Sequence, residues 1–315
     1  WCLRPGDSLI PQIGFRKLDG TPLMLFSSFW YGTALTPYEQ ACMKSFIDKG
    51  HHFVLYTYSP DLGIPDGVEW RNADEILPFD EKMVYGPEAG EGQGSPALFA
   101  NLFRYHLLAK HGGWWVDLDV YLLEPTVPEF EVFVAWESSG LLNNAVLRFP
   151  AGHSTVVEAL RRAHQMGHNV PWGATGPFLL TELFTAYGLN EAAQPMSSAY
   201  PIHPFEAMDL LRPSRTFIVR ERVRGSVFLH LWNEAFRRGG VDKTLRPPPG
   251  SLLRELFDKT GVDGWRGEYG AGTFDEHPND GSIRIAGCTR RQRRWIVRLV
   301  KLLGCGAKVS SISGV

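Results

Sequence analysis

Two carboxylates, Asp117 and Asp119, stand one residue apart in an otherwise apolar run, WWVDLDVYLL. Neighbouring carboxylates among apolar side chains are costly, because desolvation and mutual repulsion both disfavour their charged forms. A hard divalent cation such as Mn²⁺ or Mg²⁺ offsets this cost, and such ions take oxygen ligands from carboxylates and substrate phosphates. The pair therefore predicts a metal site at which the positive charge stabilises a departing phosphate group.

The flanking sequence predicts how this pair is held. Apolar residues at the even positions from 116 to 122 fall on one face of an extended segment, while Asp117, Asp119 and Tyr121 fall on the other. A helix predicted over residues 95–110 precedes this segment and carries Arg104. Because arginine presents a planar fork of donors that fits phosphates, we predict that Arg104 belongs to the same site rather than to the surface of its helix.

The N-terminal part of the chain predicts a βαβ unit. Apolar runs at residues 23–29 and 52–58 predict strands, and the capping box Thr36-Pro37-Tyr38-Glu39 begins a helix between them. Such a unit implies a parallel sheet with a ligand crevice beyond the carboxyl ends of its strands. Three aromatic residues are predicted to lie at those ends: Trp30, Tyr31 and Tyr58.

The remaining elements follow from periodicity and apolar runs. Residues 59–96 lack periodicity and predict a mobile connection, which is either a surface loop or a lid over the substrate. Asn143 and Asn144 interrupt a later apolar run, where they either hydrogen-bond a ligand or form a buried polar pair. Further strands are predicted over residues 132–136, 141–149 and 227–232, and further helices over 154–166 and from 175 to about 188.

Composition limits the classes of partner. The formal net charge of −2 over 315 residues gives no overall attraction to nucleic acid, so we expect no nucleic-acid partner. The 4 cysteines lack C-x-x-C spacing, which predicts neither a zinc site nor a disulfide framework and favours a reducing compartment. No P-loop, G-x-S-x-G or H-E-x-x-H motif is present.

The segment at residues 289–305, TRRQRRWIVRLVKLLGC, combines basic and apolar residues. It predicts a basic amphipathic helix that either lies on an anionic membrane surface or docks on the body of the protein. No apolar run reaches the length of a membrane span and no signal pattern is visible. These features predict a cytoplasmic protein, with peripheral contact at the inner face of a membrane as the alternative to a fully soluble one.

The block NLFRYHLLAKHGGWWVDLDVYL at residues 101–122 resembles the signature of the glycosyltransferases known by a sugar-binding region containing a DXD motif. This group includes capsule and lipopolysaccharide enzymes, initiating mannosyltransferases and α-1,4-galactosyltransferases. The resemblance extends to FWYGTALTPYEQ from residue 29, TGPFLLTEL from residue 175 and FLHLWN from residue 228. It covers residues 23 to about 236.

The resemblance implies a GT-A fold, an α/β architecture whose mostly parallel central sheet has helices on both faces. It implies transfer of a sugar, with retention, from a nucleotide-diphosphate-sugar to a hydroxyl of a glycan, glycolipid or other acceptor, with UDP favoured over GDP. The metal, Mn²⁺ or Mg²⁺, would be bound by Asp119 directly, by Asp117, and by His230 or Asn233.

The resemblance also implies contacts to the donor. Arg104 would bind the donor sugar or its phosphate, Trp30 would stack on the base, and Trp232 would donate its indole N–H to a phosphate. Asn101, which stands where many relatives carry aspartate, would contact a donor hydroxyl. The predicted donor-binding residues are Trp30, Tyr31, Tyr58, Asn101, Arg104, Asn144 and Trp232.

We predict a catalytic domain at residues 1–246, with a donor part near 23–125 and an acceptor part near 126–246, followed by a helical or irregular extension at 247–315. Glu137 and Glu182 are the candidate nucleophiles for a double displacement, although a front-face mechanism is preferred. Two alternatives are a haloacid-dehalogenase-like phosphatase, whose nucleophile motif DLDV matches, and a non-catalytic sugar-binding module.

Overall fold

The computed structural model of the chain describes residues 23–80 and 83–275. Its ten strands are β1 Leu25–Trp30, β2 His52–Thr57, β3 Val68–Asn72, β4 Gly113–Val116, β5 Val120–Leu122, β6 Phe133–Ser138, β7 Leu141–Phe149, β8 Phe228–His230, β9 Leu245–Arg246 and β10 Gly267–Glu268. Its seven α-helices are α1 Pro37–Ile47, α2 Ala97–His111, α3 Ser154–Met166, α4 Leu179–Ala186, α5 Thr216–Val223, α6 Asn233–Arg238 and α7 Leu252–Asp258. None of the described helices is long and apolar enough to cross a membrane.

The centre of the fold is a six-stranded sheet in the order β3-β2-β1-β4-β7-β6. The first four of these strands are parallel, whereas β7 runs antiparallel to both β4 and β6. Two small sheets accompany it, an antiparallel pair of β5 with β8 and a parallel pair of β9 with β10. The predicted α/β architecture with a mostly parallel central sheet is confirmed, and it is consistent with a fold of the GT-A type.

Helices cover both faces of the central sheet. On one face, Phe46 of α1 and Phe257 of α7 belong to the same buried cluster as Phe26 of β1. On the other face, α2, α3 and α4 form a second cluster that includes Phe103 and Leu183. Since α7 shares a core with α1, residues 252–258 pack on the domain. The predicted boundary between the catalytic domain and the extension at residue 247 stays a prediction.

The capping box predicted for α1 is present. The backbone N–H of Thr36 donates to the Glu39 carboxylate over 3.0 Å, which satisfies one of the free donors at the helix start. Glu39 is buried and also forms an ion pair with Lys243. The cap therefore connects α1 to the region that follows α6.

The expectation of an irregular connection over residues 59–96 is wrong in part, because it contains strand β3 at the edge of the central sheet. This strand is largely exposed, so it has no apolar pattern to reveal it. The later part of the connection packs on the body of the protein, where Tyr85 and Ala89 form a small cluster with Leu98 and Val170. The basic segment at residues 289–305 lies outside the described residues.

We expect Phe228→Ala to lower the free energy of unfolding by about 3 to 5 kcal/mol, because this fully buried ring joins β8 to the central sheet. Its ring centroid lies 5.7 Å from that of Trp114 and 5.8 Å from that of Phe133. Urea denaturation measures the loss. The matched control is Phe217→Ala, whose side chain is 72% exposed and whose replacement should change stability by less than about 0.5 kcal/mol.

Stability should also depend on pH through the contact between α2 and α3, where the Nε2 atoms of His106 and His164 lie 2.9 Å apart. Burial, with a smaller effect of His164, lowers the pKa of His106 from 6.5 to about 4. The unfolded chain therefore binds more protons between these values, and stability falls as the pH drops from 6.5 toward 4. Because His106 is partly exposed, we expect a loss of about 1 kcal/mol between pH 7.5 and pH 5.

Replacement of this histidine by His106→Gln should flatten that dependence, as measured by urea denaturation at both pH values. The control His52→Gln changes an exposed histidine and should keep the slope of the wild type. Equal slopes for His106→Gln and the wild type would contradict the assignment.

Candidate functional site

The Asp117–Asp119 pair lies in a turn between β4 and β5. The prediction of one continuous extended segment is wrong, because the chain leaves the central sheet after Val116 and β5 pairs with β8 instead. The backbone N–H of Val120 donates to the Asp117 carbonyl over 3.1 Å and closes the turn. Tyr121 is buried and donates its hydroxyl to the Leu256 carbonyl, so it does not share a face with the carboxylates.

Asp117 accepts two hydrogen bonds at one carboxylate oxygen. Arg104 donates from Nη2 over 2.9 Å, and the indole N–H of Trp115 donates over 2.8 Å. The Arg104 guanidinium also lies 5.1 Å from the centre of the Trp115 ring, within the range of a cation–π contact. Arg104 is itself buried, and its Nη1 donates to the Asn144 carbonyl over 2.5 Å. Arg104 is thus held by its surroundings and points at Asp117.

Asp119 is held by the start of α6 and by β8. Its Oδ2 atom accepts the backbone N–H of Asn233 over 2.8 Å and lies 3.2 Å from Nε2 of His230. Between those residues, Trp232 has φ of 61°, a left-handed conformation that bulky residues rarely adopt. Such strain is concentrated at functional sites, and here it turns the Asn233 N–H toward Asp119.

Asp117, Asp119 and His230 form the candidate metal site. One ligand atom from each can be chosen so that all three lie within 4.8 Å of one another. Two ligands at right angles on an ion with bonds of about 2.1 Å lie about 3 Å apart, which fits the 3.2 Å between His230 and Asp119. Two carboxylates and one imidazole are common ligands of divalent metal ions, so the residues present fit a divalent cation.

The charges at this site are strongly coupled. Burial alone would raise the pKa of Asp119, but the adjacent His230 and the Asn233 N–H lower it to about 2. Burial likewise opposes the charged form of His230, yet Asp119 raises the pKa of this imidazole above its ordinary value. For Asp117, burial and the charge of Asp119 raise the pKa, although Arg104 opposes them. The two carboxylates of the pair therefore have pKa values shifted in opposite directions, downward for Asp119 and upward for Asp117.

A buried polar chain extends from Arg104 along α2. Asn101 accepts a hydrogen bond from Asn144 over 2.9 Å and donates to Thr175 over 3.0 Å. Gly176 lies close to both amides, since a Cβ at this position would stand 2.9 Å from the Asn144 side-chain nitrogen. Asn144 thus pairs with Asn101 rather than with Asn143. Because Gly176 of the TGP motif has no side chain, it leaves room for these two amides.

The four aromatic residues that were predicted to bind the donor lie in different environments. Tyr31 is exposed and stacks on Phe79 with ring centroids 5.1 Å apart, and Tyr58 donates its hydroxyl to the Leu77 carbonyl. Trp30 donates its indole N–H to Ala34. The indole N–H of Trp232 donates to the Ile202 carbonyl over 2.7 Å, so in this structure it is not directed to a ligand. The donor-binding roles predicted for these residues stay predictions.

Asn233 approaches the site through its backbone. Its side-chain amide donates to Glu39 over 3.3 Å, whereas its N–H binds Asp119. Its predicted role as a metal ligand therefore stays a prediction.

The structure brings together Asp117, Asp119, Arg104, Asn101, Asn144, His230 and the N–H of Asn233. Sequence reasoning missed the contributions of Trp115 and Thr175. Trp115 stands two residues before Asp117, a spacing that places both side chains on one side of an extended chain and could have indicated the contact. No local signal pairs Thr175 with Asn101, because 74 residues separate them.

Comparison with known proteins finds likenesses among solved structures only. No protein-family model and no curated protein matches the chain. Among solved structures 19 chains match, and one of them is named PaToxG Glycosyltransferase. The two share 13% sequence identity with a TM-score of 0.41, and the match covers 77% of this chain and 87% of that one. At this TM-score the likeness assigns no residue a role.

Proposed function

We propose that the protein transfers a sugar from a nucleotide-diphosphate-sugar to a hydroxyl group of an acceptor, and that it needs a divalent cation. The observation that carries the proposal is the convergence of Asp117, Asp119 and His230 at the edge of the parallel sheet. The resemblance of residues 101–122 to DXD-motif glycosyltransferases supports glycosyl transfer as the reaction. The nucleotide is UDP in preference to GDP.

Each residue of the site has a role in this proposal. When bound at Asp117, Asp119 and His230, Mn²⁺ or Mg²⁺ supplies positive charge that stabilises a departing diphosphate. Arg104 is buried, with its Nε atom unpartnered among the described residues, and it orients Asp117 and contacts the donor. Asn101 and Asn144 are positioned by their mutual hydrogen bond to contact hydroxyls of the donor sugar.

The proposed reaction retains the anomeric configuration through a front-face mechanism. The bond between the anomeric carbon and the phosphate oxygen breaks, and the acceptor oxygen bonds to the same face of that carbon. The acceptor's proton passes to an oxygen of the departing diphosphate. Glu182 is poorly placed as an alternative nucleophile, because its side chain is 61% exposed and is paired with Arg162.

The geometry argues against the two alternatives. A phosphatase of the haloacid-dehalogenase type needs its first aspartate free for attack at the end of the first strand, whereas Asp117 follows β4 and is bound by Arg104 and Trp115. A non-catalytic sugar-binding module does not need two coupled carboxylates beside an imidazole. Placement in the cytoplasm and contact of residues 289–305 with a membrane surface remain further proposals.

We predict that UDP binds to the purified protein only in the presence of Mn²⁺, and that Asp119→Asn abolishes this binding. The variant should weaken UDP binding by at least about a hundredfold. Even the loss of a residue that only hydrogen-bonds a metal ligand typically lowers metal affinity by about 10- to 100-fold. Isothermal titration calorimetry with UDP and GDP, each with and without Mn²⁺, measures both effects.

The matched control is Asp66→Asn, which changes an exposed aspartate and should bind as the wild type does. If neither nucleotide binds with any metal, the proposed function is wrong. Hydrolysis of a phosphate monoester would then favour the phosphatase. Saccharide binding that is independent of metal and nucleotide would favour the non-catalytic sugar-binding module.

We predict that Arg104→Lys lowers the rate of nucleotide-sugar hydrolysis or transfer by about a hundredfold, because a lysine cannot bind Asp117 and the Asn144 carbonyl through one rigid fork. Release of UDP from UDP-glucose and UDP-N-acetylglucosamine provides the measurement. Arg161→Lys, on the exposed face of α3, is the control. An unchanged rate in Arg104→Lys would show that the reaction does not depend on the Arg104 guanidinium.

A further inference from the structure

Glu39, the glutamate of the α1 capping box, has more hydrogen-bond partners than a helix cap requires. Its Oε2 atom accepts the backbone N–H of Thr36 over 3.0 Å and the Thr36 hydroxyl over 2.5 Å, and these contacts complete the cap. Its Oε1 atom binds the ammonium group of Lys243 and the side-chain amide of Asn233, which donates over 3.3 Å. One carboxylate therefore joins the start of α1 to two residues that follow it by 194 and 204 positions.

Asn233 connects this carboxylate to the candidate metal site. Its side chain donates to Glu39, while its backbone N–H donates to Oδ2 of Asp119 over 2.8 Å. Asn233 is the first residue of α6, so the start of this helix is hydrogen-bonded to two carboxylates from different parts of the chain. Glu39 is thus one hydrogen-bonded residue removed from Asp119.

The backbone before Asn233 adopts a conformation that needs support from its surroundings. Trp232 has φ of 61°, and such conformations of bulky residues persist only when the surrounding structure determines them. The indole N–H of Trp232 donates to the Ile202 carbonyl over 2.7 Å, and the Asn233 side chain donates to Glu39. These two contacts hold the peptide between Trp232 and Asn233 from both sides, which keeps its N–H directed at Asp119.

The charge of Glu39 is not explained by the helix cap. Its side chain is 1% exposed, and a buried carboxylate is costly unless a cation pairs with it, as Lys243 does here. An uncharged glutamine would serve equally well at this position of a capping box. The same lysine also acts at the candidate site: burial raises the pKa of Asp119, but His230, the Asn233 N–H and Lys243 together lower it.

We propose that Glu39 is a positioning residue of the candidate metal site, and that it fixes Asn233 so that the backbone N–H of Asn233 keeps the Asp119 carboxylate oriented toward the cation. The inference rests on the proposed function and adds to it a residue that acts on the cation through two others. Because Glu39 also holds Thr36, a single carboxylate sets both the start of α1 and the start of α6.

The main test variant is Glu39→Gln. The glutamine oxygen can still accept from Thr36, but its NH₂ group would then face Asn233 and Lys243, which are both donors. We expect the dissociation constant for Mn²⁺ to rise by about tenfold, the lower end of the roughly 10- to 100-fold loss that follows removal of a residue supporting a metal ligand. Electron paramagnetic resonance of free Mn²⁺ measures the affinity, both for Mn²⁺ alone and with UDP present.

A second measurement needs no metal. Hydrogen–deuterium exchange of the Asn233 backbone amide, followed by NMR in the metal-free protein, should be faster in Glu39→Gln than in the wild type. The reason is that an N–H held less firmly on Asp119 opens to solvent more often. Exchange at the wild-type rate would contradict the proposed action through Asn233.

The matched control is Thr36→Ala, which disturbs the same helix cap but leaves the contacts of Glu39 with Asn233 and Lys243 in place. It should lower stability in urea, because the cap is weakened, and keep the wild-type Mn²⁺ affinity and Asn233 exchange. The double variant Glu39→Gln/Lys243→Met removes the ion pair without leaving a buried unpaired charge, so it guards against a folding defect. It should keep the tenfold loss of Mn²⁺ affinity, because Asn233 still lacks its acceptor.

The proposal is overturned if the wild type binds no Mn²⁺ or if folded Glu39→Gln binds Mn²⁺ as the wild type does. It is also overturned if Thr36→Ala loses as much Mn²⁺ affinity as Glu39→Gln, or if the double variant regains the wild-type affinity. In those two cases the loss would come from the cap or from the unpaired lysine. A failure of the proposed function would appear separately, as a wild-type protein that binds Mn²⁺ but no nucleotide.

Discussion

Two carboxylates held close together, away from most of the solvent, impose the constraint on which the rest of the site depends. Asp117 and Asp119 have side chains that are 28% and 12% exposed, and partners from two different elements stabilise them, the guanidinium of Arg104 of α2 and the imidazole of His230 of β8. Removing one partner of a buried charge pair typically costs about 3 to 5 kcal/mol, because the other charge is left uncompensated. The positions of α2 and β8 are therefore coupled to the turn that carries the pair.

The backbone departs from regular structure where this constraint acts. The chain leaves the central sheet at Asp117 and joins a second, two-stranded sheet at Val120, so that both carboxylates fall within one turn. Trp232 adopts its left-handed conformation two residues after His230, and Glu137 forms a bulge at the neighbouring edge. Local irregularities of this kind are destabilising alone and persist because the surrounding core determines them.

Much of the fold follows from local sequence patterns, whereas the site follows from them only in part. Helix α1 could be predicted because its capping box is a contiguous signal, and β1 and β2 because these buried parallel strands are mostly apolar. Strand β3 could not, because an exposed edge strand has no such run. The apolar alternation around Asp117 was visible, but alternation does not tell which partner each half of a segment pairs with. Contacts such as those of Asp119 with His230 depend on tertiary packing alone.

The long sequence separation within the site also has a consequence for synthesis. Asp119 and Asn233, which share a hydrogen bond, are 114 residues apart, and His230 pairs with Val120 only once β8 exists. At elongation rates of about 5 to 20 residues per second, the carboxylate pair leaves the ribosome roughly 6 to 23 s before its imidazole and its N–H donor. A nascent chain that contains the whole central sheet still lacks the imidazole and the backbone N–H that contact Asp119. The site is therefore assembled at the end of translation of the domain, and unfinished chains do not contain it.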